Sequence, residues 1–91
     1  MAKVCVRSLI SGRVQGVGYR YNTQQQALQH QLTGWVRNLS DGRVEAWLEG
    51  EEEQVERMIT WLRIGPPASK VEDVSCEKQP VQAFQEFKIL R

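Results

Sequence analysis

The run SGRVQGVGYR, Ser11 to Arg20, holds Gly12, Gly16 and Gly18 together with Arg13 and Arg20. Glycines permit positive φ and let a ligand approach the main chain closely. Successive N–H groups in such a turn form an anion nest, and a helix starting just after it aims its free amides back at the same point. Arg20, two residues past Gly18, adds a planar fork of donors suited to two phosphate oxygens at once. The spacing is not that of a Walker loop, because no Gly-Lys-Ser/Thr follows, and GVGYRY lacks the third glycine of a dinucleotide fingerprint. A mere strand-to-helix connection uses glycines in the same way; the arginine moves the reading toward an anion.

Other catalytic equipment is missing from the sequence. Cys5 and Cys76 both lie outside the loop, so neither is placed to form a phosphocysteine. His30, the only histidine, stands between Gln29 and Gln31 in a helical segment and reads as a partly exposed surface residue, which leaves no Ser-His-Asp set. No cluster of His, Asp and Glu accompanies the loop, so no metal and no other cofactor is expected. Direct attack by water is the route that remains.

Ninety-one residues form one compact domain, 1–91, with a single two-layer core. Twelve Lys and Arg against 11 Asp and Glu leave a formal charge of +1, so no bulk field recruits nucleic acid or anionic lipid. Any anion is then held by a local constellation. No apolar run approaches the ~20 residues of a membrane span, and MAKVCVRSLI has neither a long apolar stretch nor a small-residue cleavage site. The expectation is a cytoplasmic monomer with reduced thiols, since two cysteines without metal-ligand spacing make no disulfide framework.

The loop needs elements to hold it. Residues 3–11 alternate, with Val4, Val6, Ser8 and Ile10 on one face and Cys5, Arg7 and Leu9 on the other, which predicts a strand. A helix is predicted over about 21–31, with Ala27, Leu28 and Leu32 on its apolar stripe and Gly34 closing the segment. GWVRNLSDGRVEAWLEG reads as a hairpin: a strand at 34–38, a Ser40-Asp41-Gly42 turn, and a strand at 43–49 with Val44, Ala46 and Leu48 on one face. A second helix begins among Glu51, Glu52 and Glu53, carries Val55, Met58, Ile59 and Leu62 at i, i+3, i+4 and i+7, and stops at Gly65-Pro66-Pro67. Strands at about 70–78 and 84–90 complete the chain. The order β-α-β-β-α-β plus a C-terminal strand predicts an α+β, ferredoxin-like split βαβ sandwich, two helices covering one face of an antiparallel sheet.

Two stretches then resemble the signatures of the acylphosphatase family. GRVQGVGYR is similar to the first, Gly-x-Val-Gln-Gly-Val-x-aromatic-Arg. GWVRNLSDGRVEAWLEG is similar to the second, Gly-aromatic-small-basic-Asn-x-x-x-Gly-x-Val with a later Gly. One position departs: the family usually has Phe where this chain has Tyr19, which keeps the ring and adds a hydroxyl in need of a partner. The resemblance implies hydrolysis of acyl phosphates to a carboxylate and inorganic phosphate. It implies a phosphate loop of Arg13, Val14, Gln15, Gly16, Val17, Gly18, Tyr19 and Arg20, with Arg20 as clamp, and gives Asn38 the role of positioning the attacking water. A small-molecule acyl phosphate is the implied partner.

That inventory suits an activated anhydride. An ordinary phosphate ester expels an alkoxide that needs a proton, whereas an acyl phosphate expels a carboxylate whose conjugate acid has a pKa of about 4 to 5. Charge stabilisation and an aligned water then suffice. Asn38 accepts through its carbonyl and donates through its NH₂, so it orients water without deprotonating it. Alternatives stand beside these readings. Asn38 precedes a turn and could cap it; Gln15 could simply tie the loop backbone together; Arg20 could be a surface ion-pair partner. Trp47 falls out of phase with Val44, Ala46 and Leu48, and with Arg7 and Arg37 on the face away from the helices it would suit a nucleic-acid-binding module. Against that reading stand the near-zero charge and Glu45 and Glu49 on either side of Trp47. An anion-binding regulatory domain without turnover is the third possibility.

Overall fold

The computed structural model describes residues 2–90. Its elements are β1 (Lys3–Arg13), α1 (Tyr19–Gln29), β2 (Thr33–Asn38), β3 (Val44–Glu51), α2 (Glu52–Ile64), β4 (Lys70–Gln79) and β5 (Phe87–Ile89). The sheet order is β4-β1-β3-β2-β5, with both helices packed on one face, as the ferredoxin-like arrangement requires.

Alternation sets the face. Val44, Ala46 and Leu48 of β3 and Val36 of β2 have no exposed surface and pack against Val55, Met58 and Leu62 of α2 and Tyr19 and Ala27 of α1. On α2 the i, i+3, i+7 spacing puts the three apolar residues on one stripe. Glu52 and Glu53 occupy its first turn and Arg63 its last, each complementing the helix dipole. β4 forms one edge and is rich in charge, which discourages pairing with another chain.

Three expectations are corrected. First, α1 spans Tyr19–Gln29 and not 21–31; Leu28 lies exposed, and the helix ends through His30 and a positive φ at Gln31, while Gly34 belongs to β2. Second, the sheet is mixed: β1 pairs antiparallel with both β3 and β4, as does β2 with β3, but β5 runs parallel to β2. Third, the last strand covers only Phe87–Ile89.

One cause underlies the last two. β4 and β5 lie at opposite edges of the sheet, so residues 80–86 must cross it, and they do so on the face away from the helices. There Glu49 of β3, almost fully buried, accepts hydrogen bonds from the Gln82 and Phe84 N–H groups at 2.5 and 2.9 Å. The Phe84 ring packs edge-on against Trp47. Having crossed, the chain enters β5 in the direction of β2.

Candidate active site

β1 ends at Arg13 and α1 begins at Tyr19, so the glycine run becomes the loop 14–18 between a central strand and a helix N-terminus. Gly16 and Gly18 have φ of 73° and 78°. A Cβ at Gly16 would meet nothing within 4 Å, so its glycine answers to backbone conformation and not to space. Gly18 is the N-cap of α1, which has no side-chain cap. Among the described residues, none of the N–H groups from Gln15 to Arg20 donates to a protein acceptor. The loop therefore presents unbonded donors in series at the positive end of a helix.

Val14, buried, roots the loop in the core. Gln15 turns the other way: its Nε2 donates to the carbonyls of Leu39 and Arg43 at 2.8 and 3.0 Å. That is the tying role, directed at the hairpin turn. Val17 packs against the core. Arg13 is exposed at the end of β1, opposite Lys70.

A cleft of about 580 Å³ opens above the loop, lined by Val14, Gly16, Gly18, Tyr19, Arg20, Tyr21, Asn38 and Ile89. Of the expected loop residues, Arg13, Gln15 and Val17 do not line it. Arg20 stands in the first turn of α1 on the side facing β5, where its Nη1 donates to the Leu90 carbonyl at 3.4 Å. Among the described residues it forms no ion pair with a carboxylate, unlike Arg7, Arg37, Arg43 and Arg57. The surface ion-pair alternative has no support.

Asn38 is the last residue of β2 and shares the helix-side face with Gly34 and Val36. Its Oδ1 is buried and has no hydrogen-bond partner among the described residues. The adjacent turn is closed without it, by Leu39 N–H to the Arg43 carbonyl at 2.8 Å and by Arg43 N–H to Asp41 Oδ1 at 3.1 Å. The Arg43 N–H, helped by the Arg43 guanidinium, holds the Asp41 carboxyl below its usual range. Asp41 is the cap, and Asn38 is left facing the cleft.

The Tyr19 ring lies beneath the loop, packed against Trp61 with centroids 5.7 Å apart. Its hydroxyl donates to the Leu62 carbonyl at 2.7 Å, so the extra oxygen has found a buried partner. Burial pushes the phenol well above its usual range. Tyr21 and Ile89 are cleft residues that sequence reasoning missed. The available signal for Ile89 was its parity with buried Phe87; for Tyr21 it was a large aromatic directly after the arginine.

On the opposite face, Trp47 stacks on Trp35 with centroids 5.8 Å apart, and Arg7 and Arg37 converge on buried Glu45 at 2.6 and 2.8 Å. Burial alone would raise the Glu45 carboxyl, but hydrogen bonds from Arg7, Trp47 and Arg37 outweigh it and hold the group below its usual range. The side chains that a base-stacking surface would need are thus committed to one another and to the 80–86 crossing. His30 lies just past α1 and pairs with Gln54 at 2.9 Å, far from any catalytic set. Among the described residues no three His, Cys, Asp or Glu side chains gather as a metal site would require. Among the described residues no helix is long and apolar enough to cross a membrane.

An α+β sandwich whose strand-to-helix turn carries unbonded amides and an arginine without a carboxylate partner among the described residues belongs with small proteins that handle oxyanions. Comparison narrows the class. The family model described as Acylphosphatase matches residues 6–89, and the chain belongs to the acylphosphatase family. It is 51% identical over 88 residues to an acylphosphatase of Acaryochloris marina, covering 97% of this chain and 95% of that one. An acylphosphatase of Pseudomonas paraeruginosa is 47% identical over the full length of both. Among solved structures, an acylphosphatase from Bacillus subtilis superposes with a TM-score of 0.94 at 38% identity, covering 97% of this chain and 99% of that one.

Proposed function

We propose that this protein hydrolyses acyl phosphates, with the phosphoryl group seated in loop 14–18 and clamped by Arg20, and with Asn38 orienting the attacking water. The observation that carries the assignment is the buried Oδ1 of Asn38, which has no partner among the described residues and belongs to the same cleft as Gly16, Gly18 and Arg20. A buried acceptor left unbonded costs about 1–3 kcal/mol, and a bound water that donates to it removes the cost.

The reaction balances without a base or a metal. The water oxygen forms the new P–O bond, and the bridging oxygen leaves with its electron pair as the carboxylate. Both water protons end on the phosphate, as H₂PO₄⁻. The loop amides and Arg20 stabilise charge on the equatorial oxygens, which is the main demand of a loose phosphoryl-transfer transition state. Arg20 acts in both ground and transition state; Asn38 acts on the nucleophile alone.

Hydrolysis of benzoyl phosphate by the purified chain, before and after exhaustive chelation, tests the activity and its independence of metal. Asn38→Ala tests the assignment. The expected loss in kcat is roughly 10²–10³, the scale for one preorganised hydrogen-bonding group, with competitive inhibition by inorganic phosphate nearly unchanged. A folded Asn38→Ala protein of normal kcat removes Asn38 from the mechanism. Binding of phosphate without any turnover by the parent chain points instead to a regulatory anion site.

A further inference from the structure

The cleft has two kinds of wall. Gly16, Gly18, Arg20 and Asn38 are polar or bare main chain, whereas Tyr21 and Ile89 are large apolar side chains that remain 61% and 36% exposed. A volume of about 580 Å³ lies within the range of whole small-molecule sites and leaves room beyond a phosphoryl group.

Each exposure has a geometric origin. α1 buries Tyr19, Thr23 and Ala27, and Tyr21 points away from that stripe. Helical side chains lean toward the N-terminus, so a ring at Tyr21 lies over the first turn, where the unbonded amides are. Ile89 shares a face of β5 with Phe87; Phe87 is buried in the core, but Ile89 comes two residues later, at the end of the strand, where the cleft opens. Neither residue serves the core. Their apolar area becomes useful only when something covers it.

We propose that Tyr21 and Ile89 form an apolar rim that binds the acyl group of the substrate and favours flat aromatic over small acyl groups. The inference rests on the phosphoryl placement proposed above. The acyl carbon is joined to phosphorus through a single bridging oxygen, so the group must leave the polar cradle through the wall these two residues provide. An aromatic acyl group buries the ring of Tyr21 and the Ile89 side chain, while an acetyl group is too short to reach both.

The test compares kcat/KM for benzoyl phosphate and acetyl phosphate in the parent chain and in Tyr21→Ser, Ile89→Ser and Tyr21→Phe, with folding checked by circular dichroism. The benzoyl-to-acetyl ratio is expected to fall on the order of tenfold in each serine variant, the scale of a small apolar contact. It is expected to hold in Tyr21→Phe, since the ring and not the hydroxyl is used. An unchanged ratio in folded Tyr21→Ser overturns the rim while leaving the phosphate site intact, and that variant decides alone if Ile89→Ser does not fold. Failure of the parent chain to hydrolyse either substrate overturns the site reading and the rim with it.

Discussion

Replacing Tyr19 by Phe removes one oxygen from a buried place, and its cost follows from helix termination. The carbonyl of Leu62 in α2 would ordinarily accept from the N–H of residue 66, but residue 66 is proline and has none. The Gly65 N–H goes to the Trp61 carbonyl at 2.8 Å instead. The Tyr19 hydroxyl, donating at 2.7 Å from a side chain 1% exposed, satisfies a carbonyl that the helix cannot. Phe leaves that carbonyl buried and unpaired, at a cost of about 1–3 kcal/mol. Taking about 1.5 kcal/mol, and about 4–8 °C per kcal/mol for a domain of this size, Tm should fall by roughly 6–12 °C. Differential scanning calorimetry measures Tm, and urea unfolding with an unchanged m-value confirms a loss of stability and not a looser native state. An unchanged Tm refutes the capping argument, because it means that the Leu62 carbonyl was paired in some other way. Pro66→Ala in the Tyr19→Phe background sharpens the test: restoring a backbone N–H should recover part of the loss.

Arg20→Lys should lose most turnover and weaken inhibition by phosphate, since an ammonium cannot reproduce the two-pronged guanidinium; near-parental kinetics would show that a point charge is enough. Under native conditions iodoacetamide should modify exposed Cys76 and spare Cys5, whose thiol is buried and pushed up to about 11 by that burial and by the Glu49 carboxylate. Mass spectrometry should therefore count one adduct when folded and two when denatured. Glu45 is held below its usual range when folded, so it contributes stability that is present above the unfolded pKa of about 4.3 and lost as pH falls through the lower folded value. Glu45→Gln should thus be less stable near pH 7 and show a shallower loss below about pH 4 in urea unfolding; parallel pH profiles would show that Arg7 and Arg37 contribute nothing through it.

Periodic burial was legible and irregular burial was not. Val44, Ala46 and Leu48 announce β3 by alternation, and Val55, Met58 and Leu62 announce α2 by helical spacing, because each pattern matches the geometry that buries it. Glu45, Trp47 and Glu49 alternate just as cleanly, and their parity correctly places them away from the helices. Nothing in it reveals that residues 80–86 return across that face and donate two backbone hydrogen bonds to the buried Glu49 carboxylate. An irregular crossing has no period, and the carboxylate that pins it lies more than 30 residues away in the chain. The parity of Cys5 and Cys76 was readable: Cys5 neighbours Glu49 on one face, and Cys76 meets Ser8 on the other at 3.5 Å. The start of α1 was misplaced because Tyr19 and Arg20 look like loop residues beside the glycines, while the hydroxyl contact that favours a helical Tyr19 is with α2. Arg20 and Asn38 were nameable from their motifs. Tyr21 and Ile89 were not, since a shared cleft depends on which element ends meet at one corner.

Gln15 ties two distant motifs together. The glycine loop follows β1 and Asn38 ends β2, yet β3 lies between those strands, so no backbone pairing sets the loop against Asn38. The link is a side chain: Gln15 Nε2 spends both hydrogens on the carbonyls of Leu39 and Arg43, the same two residues whose pairing closes the hairpin turn next to Asn38. With both donors used, that nitrogen has none left for a phosphate oxygen, and Gln15 belongs to positioning. Its value follows from the sensitivity of the reaction to alignment, where a misplacement of about 1 Å costs about 10²-fold in rate. In the proposed mechanism no strong base compensates for a poorly aimed water, so the angle between water, phosphorus and leaving oxygen carries the catalysis. In that mechanism the hydrogen-bonded bridge from loop to hairpin is what would hold the angle.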